Sequence, residues 1–156
     1  MDRPIDPRLR FTAGMHVCAA RGDHVGATEY ALRLAGHLRE LAVRNEIPKV
    51  LLADALIELA WPQELSDQFP EALKSAEEAQ SLCPSNELSV LRLKYAHALL
   101  FARQFDKAAF IYRAHRGQEL AHGRKWDDGF LNDFTALREA GHAHPDMRKI
   151  EALLKP

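Results

Sequence analysis

The chain has 156 residues, of which 47% are apolar and 28% are charged, and its 21 Lys and Arg residues nearly balance 22 Asp and Glu residues. This length favours a single domain, and the apolar content argues against a disordered chain. The balanced charge argues against a nucleic-acid binder, because affinity for phosphates depends on clustered cationic side chains. Since 24 Ala and 22 Leu far outnumber 5 Val, 5 Ile and 3 Thr, we expect helices and not strands.

The termini and the cysteines indicate a reduced compartment. Cys18 and Cys83 are too few for a disulfide scaffold and belong to no C-x-x-C pair. The N-terminal residues MDRPIDPRLRF contain no apolar core of the kind found in signal peptides. The most apolar stretch, residues 50–61, is shorter than the roughly 18 residues that a membrane span needs. We therefore expect a cytoplasmic protein without a membrane partner.

Apolar spacing and the positions of Pro and Gly predict eight helices, at about residues 7–20, 25–44, 48–61, 70–82, 88–102, 106–120, 126–140 and 145–154. Gly22 is expected to end the first helix, and Asp23 is expected to cap the second. The dipeptide Trp61-Pro62 is expected to stop or kink the third helix, so that residues 63–68 form a loop. No segment alternates with period two for long enough to predict a strand.

Two of these segments repeat one another. FPEALKSAEEAQSLCPSN, from Phe69, aligns with FDKAAFIYRAH, from Phe105, and in each the aromatic residue is followed three positions later by an alanine. These alanines, Ala72 and Ala108, are 36 residues apart. A fainter copy places Ala27 and Ala31 at the equivalent small positions. A period of this size indicates stacked helical hairpins.

The pattern resembles the tetratricopeptide repeat (TPR), which has a period of roughly 34 residues, and Pro84 matches the terminal proline of that repeat. The resemblance implies an all-α fold in which antiparallel hairpins stack as a short right-handed superhelix. It divides a single helical domain, residues 1–156, into a divergent N-terminal hairpin (8–46), two TPR-like hairpins (48–121) and capping helices (126–154). The last segment is similar to the helical ending found after such repeats in some bacterial proteins, and its expected role is to cover the exposed apolar face of the last hairpin.

The same resemblance implies a protein-protein interaction module, a scaffold or adaptor, and not an enzyme. A protein or peptide partner would bind in a groove formed by the first helices of the hairpins. The phasing then predicts that His97 and Phe101 face the concave side, with Arg92 and Lys94 near its rim. The alternative for Phe101 is a core position against the N-terminal hairpin. Two other functions stay open: a structural module that forms a homo-oligomer or regulates a larger assembly and, less favoured, a helical metal-dependent enzyme.

Motifs that carry chemistry are absent from the sequence. It contains no phosphate-binding loop, no dinucleotide fingerprint, no H-E-x-x-H and no G-x-S-x-G, so we expect no catalytic residue and no cofactor. His16, Cys18 and His24 straddle a helix end and lack a second ligand pair, so no metal site is predicted. Two histidine pairs remain: His115 and His122 are seven residues apart and could share a helix face, and His142 and His144 flank a turn and could cap the last helix. Asp127, Asp128 and Asp133 could form an acid cluster, but capping is the favoured role of Asp127 and Asp128 at a helix start.

Basic side chains concentrate in one place, namely Arg113, Arg116, Arg124 and Lys125. Such a basic patch could bind an acidic peptide or a phosphate, because it raises the local positive potential. The favoured interpretation is a solvated helix end.

Overall fold

The structure, a computed structural model, describes residues 3–83, 89–119 and 123–155, and Pro84 lies outside these ranges. Their regular secondary structure is helical apart from one isolated bridge between Glu119 and Lys125. The helices are α1 (Pro7–Ala20), α2 (His24–Val43), α3 (Lys49–Leu65), α4 (Phe69–Leu82), α5 (Ser89–Phe101), α6 (Phe105–Ala114), α7 (Trp126–Glu139) and α8 (Pro145–Leu154). No helix in the described ranges has both the length and the apolar character needed to cross a membrane.

The turns inside the second and third hairpins have the same backbone geometry. Asp67 and Arg103 adopt left-handed conformations, with φ of 64° and 61°. In each turn the next amide closes the helix end, from Gln68 to the Gln63 carbonyl (2.8 Å) and from Gln104 to the Leu99 carbonyl (2.9 Å). The two turns are 36 residues apart, as are the alanines that follow them. The period detected in the sequence is therefore also present in the backbone.

The predicted first turn is confirmed. Gly22 has a φ of 71°, which glycine adopts without steric cost. Asp23 then caps α2, because its carboxylate accepts a hydrogen bond of 2.8 Å from the Gly26 amide. Close packing of α1 on α2 depends on Gly14, where a Cβ would lie 2.5 Å from the ring of Tyr30.

Helices that follow one another in the chain pack together through the first six, and α3, α5 and α7 also contact one another. The predicted small positions Ala27, Ala31, Ala72 and Ala108 are at most 1% exposed, so each lies where helices approach closely. One apolar core joins α1, α2 and α3 around residues such as Leu34 and Leu56. A second core joins α5 to α8 and contains the largest buried aromatic side chains, which are Tyr112, Trp126, Phe130 and Phe134.

Two predicted boundaries are wrong. Residues 63–65 were expected in a loop, but α3 continues through Pro62 to Leu65. Gln63 and Glu64 are 3% and 0% exposed, so burial of this last turn outweighs the hydrogen bond that Pro62 forfeits. The sixth helix was expected to reach as far as residue 120, but α6 ends at Ala114.

Candidate functional site

A groove of about 600 Å³ opens between α1, α3 and α7. Helix α3 packs against both α2 and α7, so it lies between the two sides of the groove. Trp61 of α3 is half-buried there, and we call this feature the Trp61 groove. Its lining includes Met15, His16, Ala19 and His24 from α1 and α2, Glu58, Trp61 and Leu65 from α3, Lys94 from α5, and Ala136 and Glu139 from α7.

Helical spacing explains how α3 and α7 form the groove. Glu58, Trp61 and Leu65 follow one another at intervals of three and four residues, which place them on one face of α3. Ala136 of α7 and Ala140, just after the end of that helix, stand four residues apart, and their small side chains leave the space next to Trp61 open. The groove therefore combines one large aromatic surface with small apolar neighbours.

A buried ion pair lies beside Trp61. The Lys94 Nζ is 2.6 Å from the Asp133 Oδ2, and the two side chains are only 10% and 17% exposed. The same Nζ lies 3.5 Å from the centre of the Trp61 ring, a cation–π distance. Lys94 therefore links α7 to α5 through charge and fixes the indole of α3 beneath the groove.

His97 extends this ion pair into the core. Its Nε2 lies 3.0 Å from the Asp133 Oδ2, and its Nδ1 hydrogen bonds with the Tyr112 hydroxyl. Complete burial lowers the pKa of His97, although Asp133 opposes that effect. A neutral imidazole satisfies both contacts when Nε2–H donates to Asp133 and Nδ1 accepts from the Tyr112 hydroxyl. Burial would raise the pKa of Asp133, but its bonds to His97 and the charge of Lys94 hold that pKa below its usual value.

Glu64 completes this buried polar cluster, which we define as Glu64, Lys94, His97, Tyr112 and Asp133. Its side chain is 0% exposed, and neither carboxyl oxygen has a hydrogen-bond partner within the described residues. Burial raises the pKa of Glu64 well above its usual value, with Lys94 opposing and Asp133 reinforcing that rise. Burial thus favours the neutral form of Glu64 beside the ion pair, while Lys94 and Asp133 keep 10% and 17% of their side chains exposed.

The four groove residues predicted from the repeat phasing occupy four different surroundings. Lys94 contributes to the lining of the Trp61 groove. His97 was expected on the open concave side, but it is 0% exposed because α7 covers it, with the Phe134 ring centre 5.4 Å from its own. Its side chain therefore cannot contact a partner while α7 is in place. Arg92 faces α4, where its Nη1 donates to the Gln80 Oε1 over 3.2 Å.

Phe101 also differs from both of its expected positions. Its ring stacks on Phe69 of α4, with 3.9 Å between the ring centres. The imidazole of His144, just before α8, meets it edge-on at 5.3 Å. Phe101 therefore packs between the second hairpin and the C-terminal helices, away from the N-terminal hairpin.

The predicted basic patch is exposed. Arg113, Arg116, Arg124 and Lys125 all reach solvent, at the end of α6 and in the segment before α7. Two acids lie close to these basic residues in the chain: Glu119, opposite Lys125 in the isolated bridge, and Asp127 in the first turn of α7, whose Oδ1 accepts a 3.3 Å bond from the Gly117 amide. The local positive charge is therefore partly offset.

Three further histidines form contacts at helix ends, and Cys18 is not activated as a nucleophile. His144 caps α8, because its Nδ1 accepts a 3.1 Å bond from the Asp146 amide. His142 Nε2 bonds the Leu65 carbonyl (2.9 Å), and His115 ends α6 and stacks on Trp126, whereas His122 lies outside the described residues. Burial and the nearby Asp23 raise the pKa of Cys18, which favours the thiol over the nucleophilic thiolate. Among the described residues, no group of three His, Cys, Asp or Glu side chains is placed to hold a metal ion.

Trp61 and Glu64 were not among the predicted site residues, and Asp133 was predicted only as part of a possible acid cluster. A signal for Trp61 exists, because it stands 36 residues before His97 and so occupies the equivalent position of the preceding repeat. No comparable signal identifies Asp133, whose contact with Lys94 spans 39 residues and depends on how α7 folds back.

Comparison with known proteins adds no further constraint. No family model matches the chain, no curated protein matches it, and no solved structure is significantly similar to it. The interpretation of the groove accordingly depends on its own geometry.

Proposed function

We propose that this chain is a TPR-like protein-interaction module that binds a segment of another protein in the Trp61 groove. The observation that carries this proposal is the position of the groove, which is lined by α1, α3, α5 and α7, the first helices of successive helix pairs, together with the start of α2. Contacts of α3 with α5 and of α5 with α7 support hairpin stacking, as do the two matching turns 36 residues apart. Stacked hairpins create extended surfaces of this kind for binding.

The composition of the groove supports binding of a protein segment. Aromatic side chains in pockets supply much of the affinity at protein interfaces, and Trp61 is held there by Lys94 before any partner arrives. Preorganisation of this kind lowers the entropic cost of binding. Small neighbours such as Ala19 and Ala136 leave room for an apolar side chain above the indole.

The buried polar cluster contributes to the groove as support and is not proposed as an active site. A catalytic acid or base must reach its substrate, whereas His97 and Glu64 are both 0% exposed. Through Lys94 and Asp133, the cluster ties α7 to α5 and thereby holds one side of the groove in position.

Selection of peptides from a random phage-displayed library tests the proposal. Wild-type protein is expected to enrich related sequences, and Ala19→Trp, which adds bulk at an exposed lining position, is expected to lose them. Ala13→Trp is the matched control, because Ala13 is exposed on the same helix and does not line the groove. Ala136→Trp blocks the opposite side independently. Enrichment that survives both blocking variants, or no enrichment with wild type, overturns the proposal.

Self-association is the second candidate function, and exposed apolar side chains on the N-terminal hairpin favour it. Ile5, Leu9, Val17 and Val25 are 71%, 67%, 49% and 59% exposed. Leu9 and Val17 are eight residues apart, so both lie towards one side of α1. Light scattering over a range of concentrations tests this candidate: a mass that rises with concentration and is lowered by Leu9→Asp supports it, and a constant monomer mass excludes it.

A further inference from the structure

We propose that the partner segment is basic and amphipathic: one apolar side chain packs on Trp61, and Lys or Arg side chains pair with Glu58 and Glu139. This inference rests on the proposed function, because it names the chemistry of the segment that the Trp61 groove binds. The inference depends on two observations: the groove is lined by carboxylates, and the charge of Lys94 is already neutralised by a neighbouring carboxylate.

The uncompensated charge of the groove is negative. Glu58 on α3 and Glu139 on α7 both line it, and neither forms an ion pair with any residue that the structure describes. Lys94 is the sole Lys or Arg among the described lining residues, and Asp133 neutralises it over 2.6 Å. Two carboxylates thus remain to attract a cationic partner, one on α3 three residues before Trp61 and one on α7.

The groove also enhances the effect of these charges. Although the Glu58 side chain is exposed, partial enclosure raises the pKa of its carboxyl, with the nearby His16 opposing that rise and Asp54 adding to it. Interactions between charges are stronger where water is partly excluded than they are in bulk solvent. A cationic side chain that enters the groove would replace the water lost around Glu58 with an ion pair.

The apolar part of the segment is placed by the remaining lining residues. Met15, Ala19 and Ala136 surround the half-buried Trp61, so a single aliphatic or aromatic side chain fits between α1 and α7. The two carboxylates lie on α3 and α7, so the same groove presents both apolar and anionic side chains. Such an arrangement selects a segment that alternates apolar anchors with basic residues, and it disfavours acidic segments through like-charge repulsion.

Peptide selection with charge-reversed protein tests the inference. The probe is a phage-displayed library of random peptides of about 16 residues, long enough for roughly four helical turns. Wild-type protein is expected to enrich Lys or Arg next to Leu, Phe or Trp. The Glu58→Lys/Glu139→Lys variant is expected to bind the selected peptides at least about tenfold more weakly and to enrich acidic residues instead.

The matched control is Glu71→Lys/Glu77→Lys, which changes the net charge equally at two exposed positions of α4 outside the groove. This control is expected to keep the wild-type preference, and wild-type affinity is expected to fall with added salt. Groove-dependent peptides without a basic preference, or with affinities that the double reversal leaves unchanged, overturn the inference and leave the proposed function intact. If wild-type protein enriches no peptides that depend on the groove, both the inference and the proposed function are overturned.

Discussion

The ammonium of Lys94 and the carboxylate of Asp133 meet at 2.6 Å in the interior, 39 residues apart in the chain. This contact explains how a lysine on α5 and an aspartate on α7 can both lie in the interior. Lys94 gains a counter-ion and an aromatic surface, Asp133 gains two donors, and α7 is held against α5. The pair therefore connects the C-terminal helices to the groove that Trp61 lines.

Removal of one member of this pair is expected to destabilise the protein strongly. Asp133→Asn leaves the Lys94 charge buried without its counter-ion, so we expect a loss of about 3–5 kcal/mol in the free energy of unfolding. Adding Lys94→Met is expected to recover most of that loss, because the oxygen of the introduced side-chain amide still accepts from His97. Urea denaturation of the two single variants and the double variant measures the coupling. Additive effects would show that the two side chains do not interact.

Glu64 is expected to make the protein less stable as the pH rises. Its pKa in the folded state is raised by burial, so the unfolded chain releases the proton first, from about pH 4.5 upward. The free energy of unfolding then falls as the pH rises, until the pH exceeds the pKa of Glu64 in the folded state. The total loss is about 1.4 kcal/mol for each unit by which the folded pKa exceeds the unfolded one. Glu64→Gln is expected to be more stable than wild type at pH 8 and similar at pH 4.

Urea denaturation at the two pH values checks this, with the exposed Glu71→Gln as the control. His97 acts in the opposite direction, because its lowered pKa costs stability as the pH falls below about 6.5. The wild-type and Glu64→Gln proteins share that effect, so their difference isolates Glu64. An identical difference at pH 4 and pH 8 would contradict the proposed protonation of Glu64.

Larger side chains at the repeated alanines are expected to destabilise the protein, because the helices pack closely there. Ala72→Leu and Ala108→Leu insert three carbons where the native side chain is 0% exposed, so each is expected to cost about 1–3 kcal/mol. Ala152→Leu, at an exposed position of α8, is the control and is expected to change stability by less than about 0.5 kcal/mol. Thermal denaturation compares the three variants. If Ala72→Leu is as stable as the control, the close helix packing is not as described.

A glycine is expected to stabilise the turn inside the third hairpin. Arg103 has a φ of 61°, a left-handed conformation that glycine adopts without steric cost. We expect Arg103→Gly to raise the free energy of unfolding by about 1 kcal/mol, because left-handed strain for other residues is of that order. Gly141→Ala, at a φ of 88°, serves as the reverse test and is expected to lower it. If Arg103→Gly is less stable than wild type, the contacts of the Arg103 side chain stabilise the protein by more than the backbone strain destabilises it.

Local features of the fold could be predicted from the sequence because they depend on neighbouring residues. The apolar spacing, Gly22 and the paired alanines correctly predicted the eight helices of the described ranges and the end of α1. Pro62 misled the prediction of α3, since a single residue cannot show that Gln63 and Glu64 are buried by later helices.

The site was predictable only in part. Repeat phasing placed Lys94 near a groove, but the groove itself depends on α7, which covers His97 and leaves Trp61 accessible. The position of α7 depends on a long-range contact between Asp133 and α5. Periodicity along the chain contains no information on such a contact.

Fluorescence of Trp61 tests the central claim, partner binding at the groove, most directly. Trp126→Phe leaves Trp61 as the one indole in the chain and keeps an aromatic ring where the Trp126 Nε1 has no partner in the described structure. Titration with a peptide selected on wild-type protein is expected to shift the Trp61 emission and to saturate at the affinity measured by calorimetry. A peptide that binds by calorimetry while the Trp61 emission stays unchanged would contradict the account.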